Sequence, residues 1–158
     1  MPLDPKRFRE TMGHLVTGVS VVSARDAEGI VVGMTASSVA SLSLEPPMIL
    51  VCVGLEAEIH DTIVRAPLFG VSVLAEGQED LALRFATKGR QRFDGVDGGA
   101  MPDGLPRVPG AIAHLECRRG EVFRSGDHSI VTGTVEWAAT ADGQPLCYFR
   151  TAYRGLAR

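Results

Sequence analysis

From residue 16 to residue 149 the chain is a succession of short β-branched or apolar runs, most of them closed by glycine, proline or aspartate. Residues 16–24, 30–38, 48–53, 69–74, 111–123, 129–141 and 146–149 each read as a strand on that texture. Within them Met48-Ile49-Leu50-Val51-Cys52-Val53 is almost wholly apolar, as a strand covered on both faces must be. Asp26-Ala27-Glu28-Gly29 and Asp142-Gly143 are turn signals between runs. Helical period intrudes only briefly. Asp4 before Pro5 starts a first helix over residues 5–14, with Phe8, Met12 and Leu15 at helical spacing. Ile59 and Ile63 mark a short helix that stops before Pro67, and residues 78–86 form another, with Leu81 and Phe85 on one face. Strands and helices do not alternate as in a doubly wound fold. The pattern predicts a mainly β chain with short helices, an antiparallel barrel or sandwich.

The 158 residues suit a single domain over 1–158, able to bury roughly two thirds of its unfolded surface without disulfides or a structural metal. Sixteen basic against 19 acidic residues give a net charge of −3, the wrong balance for nucleic-acid binding. The longest stretch free of acidic and basic residues, 29–44, carries five Ser or Thr, so no membrane-spanning helix is expected. Charges at Asp4, Lys6, Arg7, Arg9 and Glu10 leave no apolar core for a signal peptide. Cys52, Cys117 and Cys147 are odd in number and lack a CxxC, which reads as reduced thiols and a soluble cytoplasmic protein. The chain has no asparagine, and 14 of its cations are Arg against two Lys, so Arg-for-Lys and Asp-for-Asn choices carry little information about mechanism.

Neither GxGxxG nor GxxxxGK[ST] occurs, and GxSxG fails at both Gly-Val-Ser sites. His14, His60, His114 and His128 have no zinc-ligand spacing, so no metal site is expected. Asp127, His128 and Ser129 are consecutive, so they alternate across a strand and make no triad by themselves. Four segments stand out. Gly33-Met34-Thr35-Ala36-Ser37-Ser38 puts small hydroxyls at a strand end, suited to a phosphate or polyol, or simply a Ser-rich loop in solvent. Lys88, Arg90 and Arg92 alternate just after a helix, which suits a phosphate or a solvated basic loop. Gly126-Asp127-His128 is a turn whose histidine faces either a ligand or water. Residues 143–153 supply Tyr148, Phe149 and Tyr153, which read as no more than the aromatic fillers of a core strand. The long Gly-, Pro- and Asp-rich loop over residues 90–109 has a length more often functional than idle.

In this order the segments resemble the flavin reductase-like family with the FMN-binding split-barrel fold. The resemblance rests on Thr17-Gly18-Val19, Gly33-Met34-Thr35-Ala36-Ser37-Ser38, Ser43-Leu44-Glu45-Pro46-Pro47 and Gly70-Val71-Ser72-Val73-Leu74. It continues through Leu115-Glu116-Cys117, Gly126-Asp127-His128, Gly133-Thr134-Val135 and Pro145-Leu146. It implies an antiparallel split β-barrel and an NAD(P)H:flavin oxidoreductase, with hydride passing from NADH or NADPH to FMN or FAD. That chemistry belongs largely to the cofactors, so no acid–base pair need appear. Reduced flavin would then supply a partner oxygenase, and the chain would be a homodimer.

Carried over by residue, Thr35, Ala36, Ser37 and Ser38 would line the flavin, and Val51, Cys52 and Val53 would pass their backbone along its ring. Lys88 and Arg92 would neutralise its phosphate, His128 would orient the nicotinamide, and Tyr153 would close the site. One departure is the stretch Leu55-Glu56-Ala57-Glu58-Ile59-His60-Asp61-Thr62, where many members carry Ser and Thr and where Glu56 and Glu58 are poor neighbours for a phosphate. His60 or Thr62 would substitute there, or the flavin would be held loosely. Two alternatives stay open: an electron-transfer flavoprotein with tightly held FMN, and a flavin-binding module without turnover.

Overall fold

The Asp4 carboxylate accepts from the Lys6 N–H at 3.1 Å and starts α1 (Pro5–Met12), which is capped by Gly13 and ends two residues short of the predicted span of 5–14. No residue of α1 is buried; Phe8 and Met12 are 54% and 46% exposed, so its apolar stripe faces outward. In the computed structural model, which describes residues 1–157, the order continues β1 (Thr17–Gly18), β2 (Ser20–Arg25), β3 (Val31–Ala36), β4 (Ala40–Leu44) and β5 (Pro47–Gly54). Then come α2 (His60–Ile63), β6 (Leu68–Val73), α3 (Glu79–Ala86), β7 (Ala113–Ser125), β8 (His128–Thr140), β9 (Cys147–Phe149) and β10 (Ala152–Arg154).

Seven strands form one antiparallel sheet in the order β3-β2-β6-β7-β8-β5-β4, and β1-β9-β10 form a small second one. The two edge strands, β3 and β4, are joined by residues 37–39 and not by a ladder, and the fold is the split antiparallel barrel that the sequence implies. The run over 16–24 is not one strand but two. Val19 donates to Leu146 C=O at 3.2 Å and accepts from Leu74 N–H at 2.9 Å, so β1 and β2 part there into different sheets. The expected turn at Asp142-Gly143 likewise sends the chain across to β9 rather than back along β8.

Alternation sorts the barrel strands cleanly. Val22, Ala24, Val32, Met34, Ile49, Val51, Val53, Phe69, Val71, Cys117 and Val131 turn inward and form the core, with Ile59 and Ile63 around α2 packed into it. Full burial of one such side chain stabilises by roughly 1.5–3 kcal/mol. Burial in this core pushes the Cys117 thiol up to about 12, so it is an inert packing group.

A second apolar layer lies outside the barrel, where Val19, Val21 and Leu74 meet Phe85 of α3 and the loop over 90–109. That loop is a cover. Val96, Met101, Leu105 and Val108 are buried, and Asp103 N–H donates to the buried Glu116 carboxylate at 2.9 Å. Gly33 permits the layer: a Cβ there would stand 2.8 Å from Phe93 Cε2 and 3.0 Å from the Phe85 ring. The first glycine of the Gly-Met-Thr-Ala-Ser-Ser run is thus explained by packing against α3.

Candidate functional site

The end of β3 is tied down on two sides. Thr35 Oγ1 donates to Ala82 C=O of α3 at 2.6 Å. Ser38 Oγ donates to Cys52 C=O at 2.9 Å and accepts from Cys52 N–H at 3.2 Å. β4 pairs with β5 only as far as Ala40 opposite Leu50, so Ser38 supplies to Cys52 the partner that β4 no longer provides. Val51 and Val53 point into the barrel and are fully buried, backbone included, whereas Cys52 points outward and is partly exposed. Ala36 is buried and Ser37 exposed, so of the four residues Thr35–Ser38 only Ser37 presents its side chain freely to solvent.

Along the free edge of β3 runs the segment after α3. Gly33 N–H donates to Gln91 C=O at 2.9 Å, and Val32 pairs with Arg92 in antiparallel sense. The chain therefore climbs from Arg92 back through Gly89 and Lys88 toward the Thr35–Ser38 end. Lys88 is exposed at the upper end. Arg92 lies further along the segment, past the turn, and lines a separate cleft with Ile30, Val31 and Asp94. From the other side Glu58, in the loop after β5, accepts from Gly89 N–H at 2.7 Å.

Two clefts meet at Ser37. One of about 110 Å³ is walled by Val19, Thr35, Ser37, Tyr148 and Tyr153, with the two tyrosine rings 5.5 Å apart. Burial and the neighbouring Tyr148 push the Tyr153 phenol above its ordinary value, keeping it protonated. A larger cleft of about 380 Å³ is lined by Thr17, Gly18, Ser20, Ala36, Ser37 and Val39, among others. Thr17 Oγ1 is buried there without a hydrogen-bond partner. A buried hydroxyl left without a partner costs about 1–3 kcal/mol, so it fits a polar ligand that completes it. Thr17 and Tyr148 were not singled out as site residues in the sequence, because they come from the small second sheet, whose approach to β3 no local period encodes.

His128 begins β8 after the two-residue Gly126-Asp127 turn, in which Gly126 has φ 59° and Asp127 does not share it, the pattern of a type II′ hairpin. Its Nδ1 is 2.7 Å from Asp127 Oδ1, and that contact holds the Asp127 carboxyl below its ordinary value. The ring lies over Gly54, where a Cβ would stand 3.7 Å from Nε2. Gly54 is two residues beyond Cys52 on β5, about 7 Å. His60 stands on the inner side of this end: its Nε2 is 2.9 Å from Ser129 Oγ and its Nδ1 3.1 Å from Asp61 Oδ1. His60 thus braces α2 against β8. Ser38 ties the Ser37 end of β3 to Cys52, His128 lies over Gly54 further along β5, and Glu58 ties the loop after β5 to the Lys88–Gly89 turn, so these contacts follow one seam of the barrel, while the two clefts at Ser37 are lined by other residues. Arg92 lies off the seam, and the hydroxyls of Thr35 and Ser38 are already engaged.

The chain belongs to the flavin reductase like family: residues 12–157 match the model described as "Flavin reductase like domain". It is similar to the FMN reductase (NADH) SmoA of Agrobacterium fabrum, 39% identical over 153 residues that cover 97% of this chain and 87% of the relative. It is 36% identical over 155 residues to HsaB of Rhodococcus jostii, the reductase subunit of a flavin-dependent monooxygenase, covering 98% of this chain and 79% of that one. Among solved structures it resembles the Streptomyces globisporus NADH:FAD oxidoreductase SgcE6 in complex with NAD and FAD fragments. The TM-score is 0.91 at 37% identity, with 99% of this chain and 97% of that chain covered. Among the described residues no helix is long and apolar enough to cross a membrane.

Proposed function

We propose that the protein is a flavin reductase that takes reducing equivalents from NADH into FMN or FAD and delivers reduced flavin to a partner monooxygenase. The observation that carries this reading is the seam itself. Ser38 holds the Ser37 end of β3 to the Cys52 edge, His128 lies over Gly54 on the same strand, Gly89 meets Glu58 from the loop after it, and Thr17 Oγ1 is buried without a partner in the cleft that Ser37 lines. When bound, the nicotinamide and flavin rings supply the hydride chemistry themselves, so the protein's work is to align and enclose them.

In this reading Thr35 to Ser38 form the wall for the flavin chain, with Thr35 and Ser38 shaping backbone and Ser37 and Thr17 offering hydroxyls. Val51, Cys52 and Val53 set the edge beside the ring. Lys88 answers the phosphate, while Arg92 acts from further down the same segment. His128, held by Asp127, faces the nicotinamide; His60 steadies the strand end beneath it, and Tyr153 with Tyr148 closes the cleft. The names of both SmoA and SgcE6 specify NADH, and they name FMN and FAD respectively. HsaB is a monooxygenase subunit, which supports an oxygenase as the recipient here. Self-association as a homodimer is supported by apolar side chains left in solvent, among them Leu42, Leu44 and Phe123 at 47%, 90% and 49% exposure.

The test is oxidation of NADH and NADPH by desalted protein, with and without added FMN, FAD or riboflavin. Turnover that requires free flavin is the expected result. Turnover by a protein that stays yellow without added flavin would mean a prosthetic electron carrier. Flavin binding with no oxidation in any well would leave a binding module. Sedimentation of the same sample reads the homodimer.

A further inference from the structure

Glu58 is a carboxylate where a phosphate is expected. Thr87 C=O accepts from Arg90 N–H at 3.1 Å, closing a β-turn in which Gly89 has φ 79°, the type II arrangement that needs glycine at its third position. Such a turn leaves the Gly89 N–H outside its own hydrogen bond, and the residues on either side of it in the chain, Lys88 and Arg90, are cations. An amide left free by its turn, with a cation on either side of it in the chain, is a small anion subsite. Here that amide donates to Glu58 Oε1 at 2.7 Å, across 31 residues of sequence, and all these groups are exposed.

We propose that the Glu58 carboxylate is an internal occupant of the anion subsite at the Lys88–Gly89–Arg90 turn, and that a flavin phosphate must displace it to bind. The inference rests on the reading that the flavin phosphate approaches this turn. Displacement has a cost: the ligand trades its hydration for an amide already satisfied, and the released carboxylate stays nearby as a like charge. Glu58 is therefore a determinant of flavin affinity, and it acts selectively on flavins that carry phosphate. A site that weakens its own grip on the phosphate favours flavin as a travelling substrate over flavin as a fixture.

The experiment is equilibrium binding of FMN and riboflavin, read by quenching of flavin fluorescence, on wild type, Glu58→Ala and Glu58→Gln. Circular dichroism checks that each variant is folded. The expected result is FMN binding about tenfold tighter in Glu58→Ala, the scale of one charge-assisted hydrogen bond, with riboflavin affinity unmoved. Glu58→Gln, which keeps an acceptor but not the charge, should fall between. Inorganic phosphate should compete with FMN more effectively in Glu58→Ala than in wild type. The inference is overturned if FMN binds more weakly in Glu58→Ala, which would make Glu58 a brace of the turn, or if FMN and riboflavin shift together or not at all. Failure of wild type to bind either flavin would instead sink the underlying functional reading, and this inference with it.

Discussion

The Ser38 hydroxyl serves both backbone groups of Cys52, donating to its C=O at 2.9 Å and accepting from its N–H at 3.2 Å. One side chain thereby does the work of a missing strand at the upper half of β5. The end of β3 is fixed against the barrel edge that faces the proposed flavin, while Ser37 next to it stays free. Ser38→Ala leaves two backbone groups of Cys52 without their partner. It should lower stability by about 1–2 kcal/mol and weaken flavin binding, because the edge is no longer held in place. Ser38→Thr, which keeps the hydroxyl, should retain most of both. Thermal unfolding and a flavin titration on the two variants check this.

His128 is held by Asp127 on one nitrogen and lies over Gly54 with the other, at the far end of the same edge. Loss of one hydrogen bond to a bound nicotinamide is worth about 1.5 kcal/mol, so His128→Ala should raise KM for NADH about tenfold. Flavin affinity should change less than about twofold, within the usual scatter of a distant substitution. The steady-state KM and the flavin Kd are measured on the same preparation. A fall in flavin affinity with no change in nicotinamide KM would move His128 to the flavin side.

A third prediction concerns pH. Ser72 Oγ accepts from Val108 N–H at 3.2 Å, which leaves its proton for His114 Nδ1, 3.0 Å away. Burial, then the positive Arg107, hold the His114 imidazole below its ordinary value of 6.5, which favours its neutral form in the folded chain. The unfolded chain takes up the proton more readily. This stability is present in full above pH 6.5 and is lost as the pH falls from there through the folded value. His114→Asn keeps an acceptor for Ser72 and removes the titration. Its stability should therefore decline less steeply than wild type between pH 7 and pH 5, and the difference in slope is bounded by about 1.4 kcal/mol per pH unit for one proton. Denaturant unfolding at several pH values reads that slope. Parallel curves would mean that His114 does not carry the effect.

Much of the barrel was legible because its signal is local. Residues 48–53 are apolar throughout and form β5, but cover on both faces is not found: Ile49, Val51 and Val53 are buried while Met48, Leu50 and Cys52 on the other face are partly exposed. The parts that were not legible depend on distant partners. Val19 divides one apolar run into two strands only because Leu74 and Leu146 take its two hydrogen bonds. The alternation Ala40-Ser41-Leu42-Ser43-Leu44 does form β4, but its side chains are largely exposed, so it reads equally as loop. β10 was hidden by its turn, since Arg150 and Thr151 adopt φ of 49° and 63° where glycine or asparagine would announce a hairpin. At the seam, the residue types at Ser37, Lys88 and His128 were readable in the sequence. The engagement of Thr35 and Ser38 and the pairing of Glu58 with Gly89 were not, because each joins segments far apart in the chain.

Gly133 offers a test of the core that is independent of any ligand. It lies in the Gly133-Thr134-Val135 segment, which a reading of motifs alone leaves without a role. In the barrel β8 passes over the fully buried Phe69, and a Cβ on Gly133 would stand 2.5 Å from Phe69 Cε1 and Cζ and 3.0 Å from Cys117 Cβ. The ring cannot yield easily, since close-packed neighbours surround it. Gly133→Ala should destabilise by about 2–3 kcal/mol through overpacking. At this chain length that lowers Tm by roughly 5–10 °C. Phe69→Leu alone should also destabilise, by leaving a void. Combined with Gly133→Ala it makes room for the new methyl, so the double variant should lose less than the sum of the two single changes. Calorimetry on the four proteins of this cycle measures the coupling. Strict additivity would mean that Gly133 is required for some reason other than the Phe69 ring.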